Sequence, residues 1–106
     1  MRRSLGFAAI TAATVLLSLG GTVAAEYTIV IDKMAFGAVP QTLHPGDTIM
    51  WQNNDVLRHT ATAKDHSFDL NLPSKSSATM VVGAAGTVAF FCKFHPGMIG
   101  KLVITP

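Results

Sequence analysis

The chain has 106 residues, a length that fits one domain, and 49% of its residues are hydrophobic. Its formal net charge of +2 comes from Arg2 and Arg3, because the six remaining lysines and arginines balance six acidic residues. We therefore expect neither nucleic acid nor, once the amino-terminal segment is removed, a membrane as a partner.

The first 25 residues have the pattern of an export signal. Two arginines precede an apolar run from about Leu5 to Leu19, and small residues follow. Val23 and Ala25 fit the minus-three and minus-one positions of a peptidase site. We predict removal of residues 1–25, which leaves a single domain, 26–106, in a bacterial periplasm. An uncleaved membrane anchor is the alternative, but the run is short against the roughly 20 residues of a bilayer span.

The rest of the chain alternates short apolar segments with turn signals, which is typical of β-structure. In the segment TIMWQN, alternation places Ile49, Trp51 and Asn53 on one face of a strand. The polar segment 64–77 is predicted to be irregular. The pattern predicts an all-β Greek-key sandwich of about seven or eight strands. Its clearest segments are 27–33, 48–53, 57–63, 78–82, 87–92 and 100–106.

The segment CKFHPGM concentrates metal-binding chemistry near the end of the chain. Cys92, the only cysteine, stands three residues before His95, and Met98 follows three later. Pro96 and Gly97 predict a tight turn that brings these side chains together. A thiolate combined with a thioether favours copper, whereas structural zinc sites use cysteine and histidine. Two histidines and a cysteine with a weak axial methionine form the blue-copper electron-transfer arrangement.

Such a site needs a second histidine, and three are available. His44 belongs to a turn, and His66 lies in a polar stretch, so both are expected at the surface. His59 begins a predicted strand and can lie beside the Cys92 loop. Spacing alone favours His59 and leaves the other two open.

Taken together, the stretches IVIDKMAF, WQNNDVLRHT and FFCKFHPGMIGKLVI resemble the cupredoxins, closest to the amicyanin and plastocyanin-like members. The ligand loop is the short, amicyanin-type version, whereas plastocyanin has a longer one. The resemblance covers nearly all of residues 26–106. It implies that Asn53 helps to hold the two ligand loops together. The chain departs from the family at Arg58 and Phe94, where proline is common, and at Val88, where tyrosine is common. The implied copper ligands are His59, Cys92, His95 and Met98.

The resemblance implies a carrier of single electrons and not an enzyme. Its expected partners are redox proteins, such as a c-type cytochrome or a periplasmic dehydrogenase, met by a monomer. An apolar rim around His95 is predicted from Met34, Leu57, Phe94, Pro96 and Gly97, although Met34 and Leu57 also fit a core position. The alternative function is periplasmic copper trafficking with exchangeable copper.

Phe94 adds a backbone N–H that proline lacks. We expect this N–H to donate a hydrogen bond to the Cys92 sulfur. Withdrawing electron density from the sulfur would raise the reduction potential of a copper site.

Overall fold

The computed structural model of the protein describes residues 23–106, which contain eight β-strands. No segment in this part of the chain forms a helix long and apolar enough to span a membrane. The predicted export segment lies outside the described residues except for positions 23–25. The strands are β1 (Glu26–Asp32), β2 (Ala35–Phe36), β3 (Thr48–Asn53), β4 (His59–Ala63), β5 (Asp69–Leu72), β6 (Ser77–Val81), β7 (Gly86–Cys92) and β8 (His95–Ile104).

The strands form two four-stranded sheets that share one hydrophobic core. The strand order is β2-β1-β3-β6 in the first sheet and β5-β4-β7-β8 in the second. β1 and β3 run parallel, with Ile29 opposite Trp51, and the other paired strands run antiparallel. The predicted all-β sandwich of seven or eight strands is confirmed.

Trp51 of the first sheet and Phe90 of the second form the centre of the core. Both are fully buried, and their ring centroids lie 5.0 Å apart at an angle of 79°. Phe36 and Phe68 pack beside them. The edge-to-face packing of these rings adds to the stabilisation that burial of large rings already provides. The indole Nε1 of Trp51 has no hydrogen-bond partner within residues 23–106.

Two strands, β2 and β5, were not predicted from the sequence. The segment 64–77, predicted to be irregular, contains β5, in which Leu70 and Leu72 alternate with polar residues. That alternation is only four residues long and is surrounded by turn-forming residues, which hid it. β2 has only two residues, too few for any periodic signal, and pairs with the end of β1.

The β7–β8 hairpin differs from the predicted loop. Its turn consists of residues 93–94, and β8 begins at His95, which pairs with Cys92. The next pair is Phe91 with Ile99, so residues 96–98 form a bulge on β8. The turn expected at Pro96–Gly97 is therefore a bulge within a strand. The sheet itself holds the two ends of this segment together.

Candidate metal centre

Three soft or borderline donors converge where β4 meets the β7–β8 hairpin. The Cys92 Sγ atom lies 3.7 Å from His59 Nδ1 and 3.6 Å from His95 Nδ1. All three donor atoms lie within 4.8 Å of one another. Cys92 and His59 are fully buried, whereas His95 is half-buried. The cluster is thus closed on its inner side and reaches the surface through one imidazole.

Met98, the fourth predicted ligand, is buried in the same hydrophobic cluster as Cys92. It is the last residue of the bulge in β8. The bulge makes it possible for His95 to pair with Cys92 while Met98, three residues later, still points inward.

The orientation of His59 is set by a carboxylate that the sequence analysis missed. Asp55 Oδ2 lies 2.7 Å from His59 Nε2; Asp55 lies in the loop after β3, four residues before His59, which begins β4. An ionised carboxylate can only accept, so Nε2 carries the proton and the Nδ1 lone pair faces Cys92. A carboxylate behind a ligand histidine is a common feature of metal sites.

Asp55 also accepts two backbone N–H groups, from Lys33 at 2.8 Å and Met34 at 3.0 Å. These residues follow β1 and have φ angles of 52° and 63°, in the left-handed region. The Met34 N–H, followed by the His59 side chain, lowers the pKa of Asp55. One carboxylate therefore stabilises a strained turn and fixes the ring of His59.

The Cys92 sulfur accepts a hydrogen bond from the backbone N–H of Thr60, at 3.4 Å. The bond expected from the Phe94 N–H is not found within the described part of the chain. Phe94 occupies the two-residue turn, and Thr60 on the neighbouring strand β4 holds the donor position. The ring of Phe94 instead lies against Arg58, whose guanidinium carbon is 5.2 Å from the ring centroid.

A ring of side chains clamps the hairpin turn onto β4. Thr60 Oγ1 accepts the Lys93 N–H at 2.9 Å and lies 2.9 Å from Thr62 Oγ1. Thr62 Oγ1 is hydrogen-bonded to Asp69 Oδ1, and Asp69 Oδ2 accepts from Lys93 Nζ, both at 2.9 Å. The strand that carries His59 and the turn that follows Cys92 are thereby tied together.

Asn53, expected to help hold the two ligand loops together, bonds to the loop before His59 and to the end of β5. Its Nδ2 donates to the carbonyls of Leu57, Leu72 and Pro73, and its Oδ1 accepts the Asp55 N–H. These bonds hold the loop that leads to His59 against the end of β5. Thr60 bonds directly to both the Cys92 sulfur and the Lys93 N–H, and so joins the His59 strand to the Cys92 turn.

The other two histidines lie apart from the cluster. His44 has an exposed imidazole, whose Nδ1 is 3.9 Å from Asp47 Oδ2. His66 occupies a turn with φ of 68° and is exposed. Of the three candidates, the fold brings only His59 to Cys92.

Exposed apolar side chains are present at the residues predicted to surround His95. Leu57 and Phe94 are each 49% exposed and Met34 is 40% exposed. The alternative that Met34 and Leu57 belong to the core is wrong. Val56, which the sequence analysis did not name, is also exposed. Where such groups adjoin in one patch, they mark a contact surface.

The donor set fits copper. It combines one thiol, two imidazoles with Nδ1 directed inward and a buried thioether. Copper tolerates this mixture of soft and borderline ligands, whereas a closed zinc site would use cysteine or histidine in place of methionine.

No protein-family model matches the chain. The chain is 29% identical over 80 residues to amicyanin from Paracoccus versutus; the match covers 70% of this chain and 61% of that protein's length. Solved structures of amicyanin variants are similar in fold. A reduced proline-to-phenylalanine variant has a TM-score of 0.64 at 26% identity, covering 77% of this chain and 82% of that one. A Cu(I) methionine-to-alanine variant has a TM-score of 0.63 at 25% identity, with the same coverage. The resemblance drawn from the sequence is confirmed.

Proposed function

We propose that this chain, a cupredoxin similar to amicyanin, binds one copper ion and carries single electrons between redox proteins. The ligands are His59, Cys92, His95 and Met98. The observation that carries the proposal is the buried Cys92 sulfur, with an imidazole Nδ1 on each side at 3.6–3.7 Å. Copper supplies a one-electron couple when it is bound.

The residues around the cluster favour electron transfer over catalysis. Four protein ligands leave no open position for a substrate, which catalytic metal sites normally keep. Asp55 fixes the ring of His59, and Thr60 donates to the Cys92 sulfur, so both ligands are held before metal arrives. A site held in one geometry requires little rearrangement when its charge changes.

His95 is the proposed path for the electron, because it alone joins the buried cluster to the surface. The apolar rim around it supports brief encounters with a partner, since electron-transfer interfaces are small. The proposed partners are a c-type cytochrome or a periplasmic dehydrogenase, met by a monomer in the periplasm. Six basic and six acidic residues in the segment 26–106 predict only a modest effect of salt on association.

The first test is the visible and EPR spectrum of the protein after addition of one equivalent of Cu(II). An intense blue band from thiolate-to-copper charge transfer, with narrow copper hyperfine splitting, is expected. Cys92→Ser is expected to abolish the band. A pale spectrum with wide splitting in the wild type would refute the proposed ligand set.

Met98 is tested by comparison with another methionine. Met98→Leu is expected to change the reduction potential and the EPR parameters, because the axial ligand tunes such sites. Met80→Leu, on β6, is the matched control and is expected to leave both unchanged. Equal behaviour of the two variants would remove Met98 from the ligand set.

A chelator challenge separates electron transfer from copper trafficking. Repeated oxidation and reduction in the presence of a mild Cu(I) chelator is expected to leave the copper content unchanged. Release of Cu(I) within the first cycles would favour a copper donor instead.

A further inference from the structure

Asp47 is a buried carboxylate at the start of β3, outside the candidate metal centre. The residue is 3% exposed. Its Oδ1 accepts the Ala25 N–H at 3.0 Å, and its Oδ2 accepts the His44 N–H at 2.8 Å. The bond from Ala25, followed by that from His44, lowers the pKa of Asp47. The side chain is therefore a buried anion at neutral pH.

This anion has no permanent cation beside it. Within residues 23–106, no lysine or arginine forms an ion pair with Asp47. The exposed imidazole of His44 lies 3.9 Å away and carries charge only when protonated. Neutral donors alone therefore stabilise this buried charge, and no permanent cation in the described part of the chain neutralises it.

Ala25 belongs to the fold, although the sequence pattern assigned it to the export segment. Its carbonyl accepts the Thr48 N–H at 2.9 Å, which adds one bond to the parallel β1–β3 ladder that begins with Glu26 opposite Thr48. Removing Ala25 would leave the Thr48 N–H and one oxygen of Asp47 without their partners. Val23 and Ala24, in contrast, are exposed.

We propose that the chain is processed between Ala24 and Ala25, so that the new α-ammonium group of Ala25 forms an ion pair with Asp47. A host export peptidase hydrolyses the amide bond. Water supplies a hydroxyl to the carbonyl carbon of Ala24 and a proton to the nitrogen of Ala25. The small residues Thr22 and Ala24 then occupy the minus-three and minus-one positions. This bond lies one residue before the predicted boundary.

The ion pair stabilises the Asp47 carboxylate more strongly than the neutral Ala25 N–H does. An ammonium group at the position of the Ala25 nitrogen replaces a neutral donor with a charged one, and such hydrogen bonds are roughly twice as strong. The inference depends on the proposed export and is independent of copper binding.

The first test is the start of the exported protein. The full 106-residue chain is produced in a Gram-negative bacterium, and the exported product is characterised by intact mass and amino-terminal sequencing. The expected first residue is Ala25. A product that begins at Glu26, or that keeps residues 1–24, would overturn the inference. The copper spectrum of the same sample shows independently whether the proposed function fails.

The second test is the reactivity of the amino terminus. At neutral pH, an acylating reagent is expected to modify the α-amine of Ala25 about tenfold more slowly in the wild type than in Asp47→Asn, which corresponds to one pKa unit. Asp32→Asn, at an exposed aspartate, is the control and is expected to match the wild type. Equal rates in wild type and Asp47→Asn would disprove the ion pair. The mass measurement needs no variant and remains decisive if Asp47→Asn does not fold.

Discussion

Asp55 and Asp47 lie near the two ends of β3, and each accepts two backbone N–H groups. Asp55 holds the turn after β1, and Asp47 holds Ala25 and the turn at His44. Both carboxyl groups have a lowered pKa, and backbone donors are the largest cause in each case. Both aspartates therefore stabilise the backbone in the same way, by accepting N–H groups that would otherwise lack a partner.

They differ in their third contact. Asp55 reaches the Nε2 of a buried histidine at 2.7 Å, whereas the nearest imidazole to Asp47 is exposed and 3.9 Å away. A carboxylate that stabilises a turn becomes part of a metal site when one more donor, placed by the fold, lies within its reach. The comparison predicts that Asp55 variants affect metal binding and that Asp47 variants affect stability but not metal binding.

The largest effect is expected for Asp55→Ala. Loss of a carboxylate behind a ligand histidine typically lowers metal affinity by about 10–100-fold. Two backbone donors also lose their acceptor, and the free energy of unfolding is expected to fall by about 2 kcal/mol. Competition titration with a chelator and chemical denaturation measure the two effects.

Asp65→Ala is the matched control, because Asp65 is an exposed turn residue that accepts the Ser67 N–H and lies outside the metal cluster. It is expected to leave copper affinity unchanged. If Asp55→Ala binds copper as tightly as Asp65→Ala, then Asp55 does not support the metal site, and it does not differ from Asp47 in this respect.

Asp47→Asn is expected to have the second-largest effect, on stability and not on the copper site. An asparagine amide cannot accept at both positions, so either the Ala25 or the His44 N–H loses its bond. We expect the melting temperature to fall by about 5 °C, with unchanged spectra of the copper site. A changed EPR spectrum would show that the two ends of β3 are coupled.

The difference in stability between the wild type and Asp47→Asn is expected to depend on pH. Because the pKa of Asp47 is lowered from 3.8 in the folded state, its stabilisation is present above that value and is lost as the pH falls through the folded pKa. The difference in unfolding free energy between wild type and Asp47→Asn is expected to be largest at neutral pH and to shrink below about pH 4. Urea denaturation of both proteins at several pH values measures it, and a constant difference would contradict the assignment.

The smallest effect is expected for Asp69→Asn. Asp69 and Lys93 have side chains that are 54% and 47% exposed, and exposed ion pairs contribute only about 0.5 kcal/mol. A double-mutant cycle with Lys93→Gln isolates the pair. A coupling well above 1 kcal/mol would show that the ring through Thr60 and Thr62 acts as one unit.

The sequence revealed those parts of the site that are local in the chain. Cys92, His95 and Met98 occur within seven residues, and their side-chain chemistry points to copper without any fold. Thr60 and Asp55 were missed because their roles depend on contacts between strands and on the path of a loop. The one available signal was an aspartate four residues before a candidate ligand histidine.

The error in the predicted fold also came from contacts between strands, which the sequence does not show. The alternation around Trp51 predicted one face of β3 correctly, because side chains alternate between the two faces of any strand. The position of the hairpin turn was wrong, since Pro96 and Gly97 favour a turn and a bulge alike. Pairing of Cys92 with His95 decides between the two, and pairing is a property of the sheet.

Trp51 also makes the chain its own optical reporter. It is the only tryptophan, it is fully buried among phenylalanine rings, and its Nε1 lacks a hydrogen-bond partner in the described residues. An indole without nearby mobile dipoles emits at short wavelength, because nothing reorganises around its excited state. Unfolding admits water and moves the emission to the red. The variants compared above can therefore be followed by fluorescence without a label.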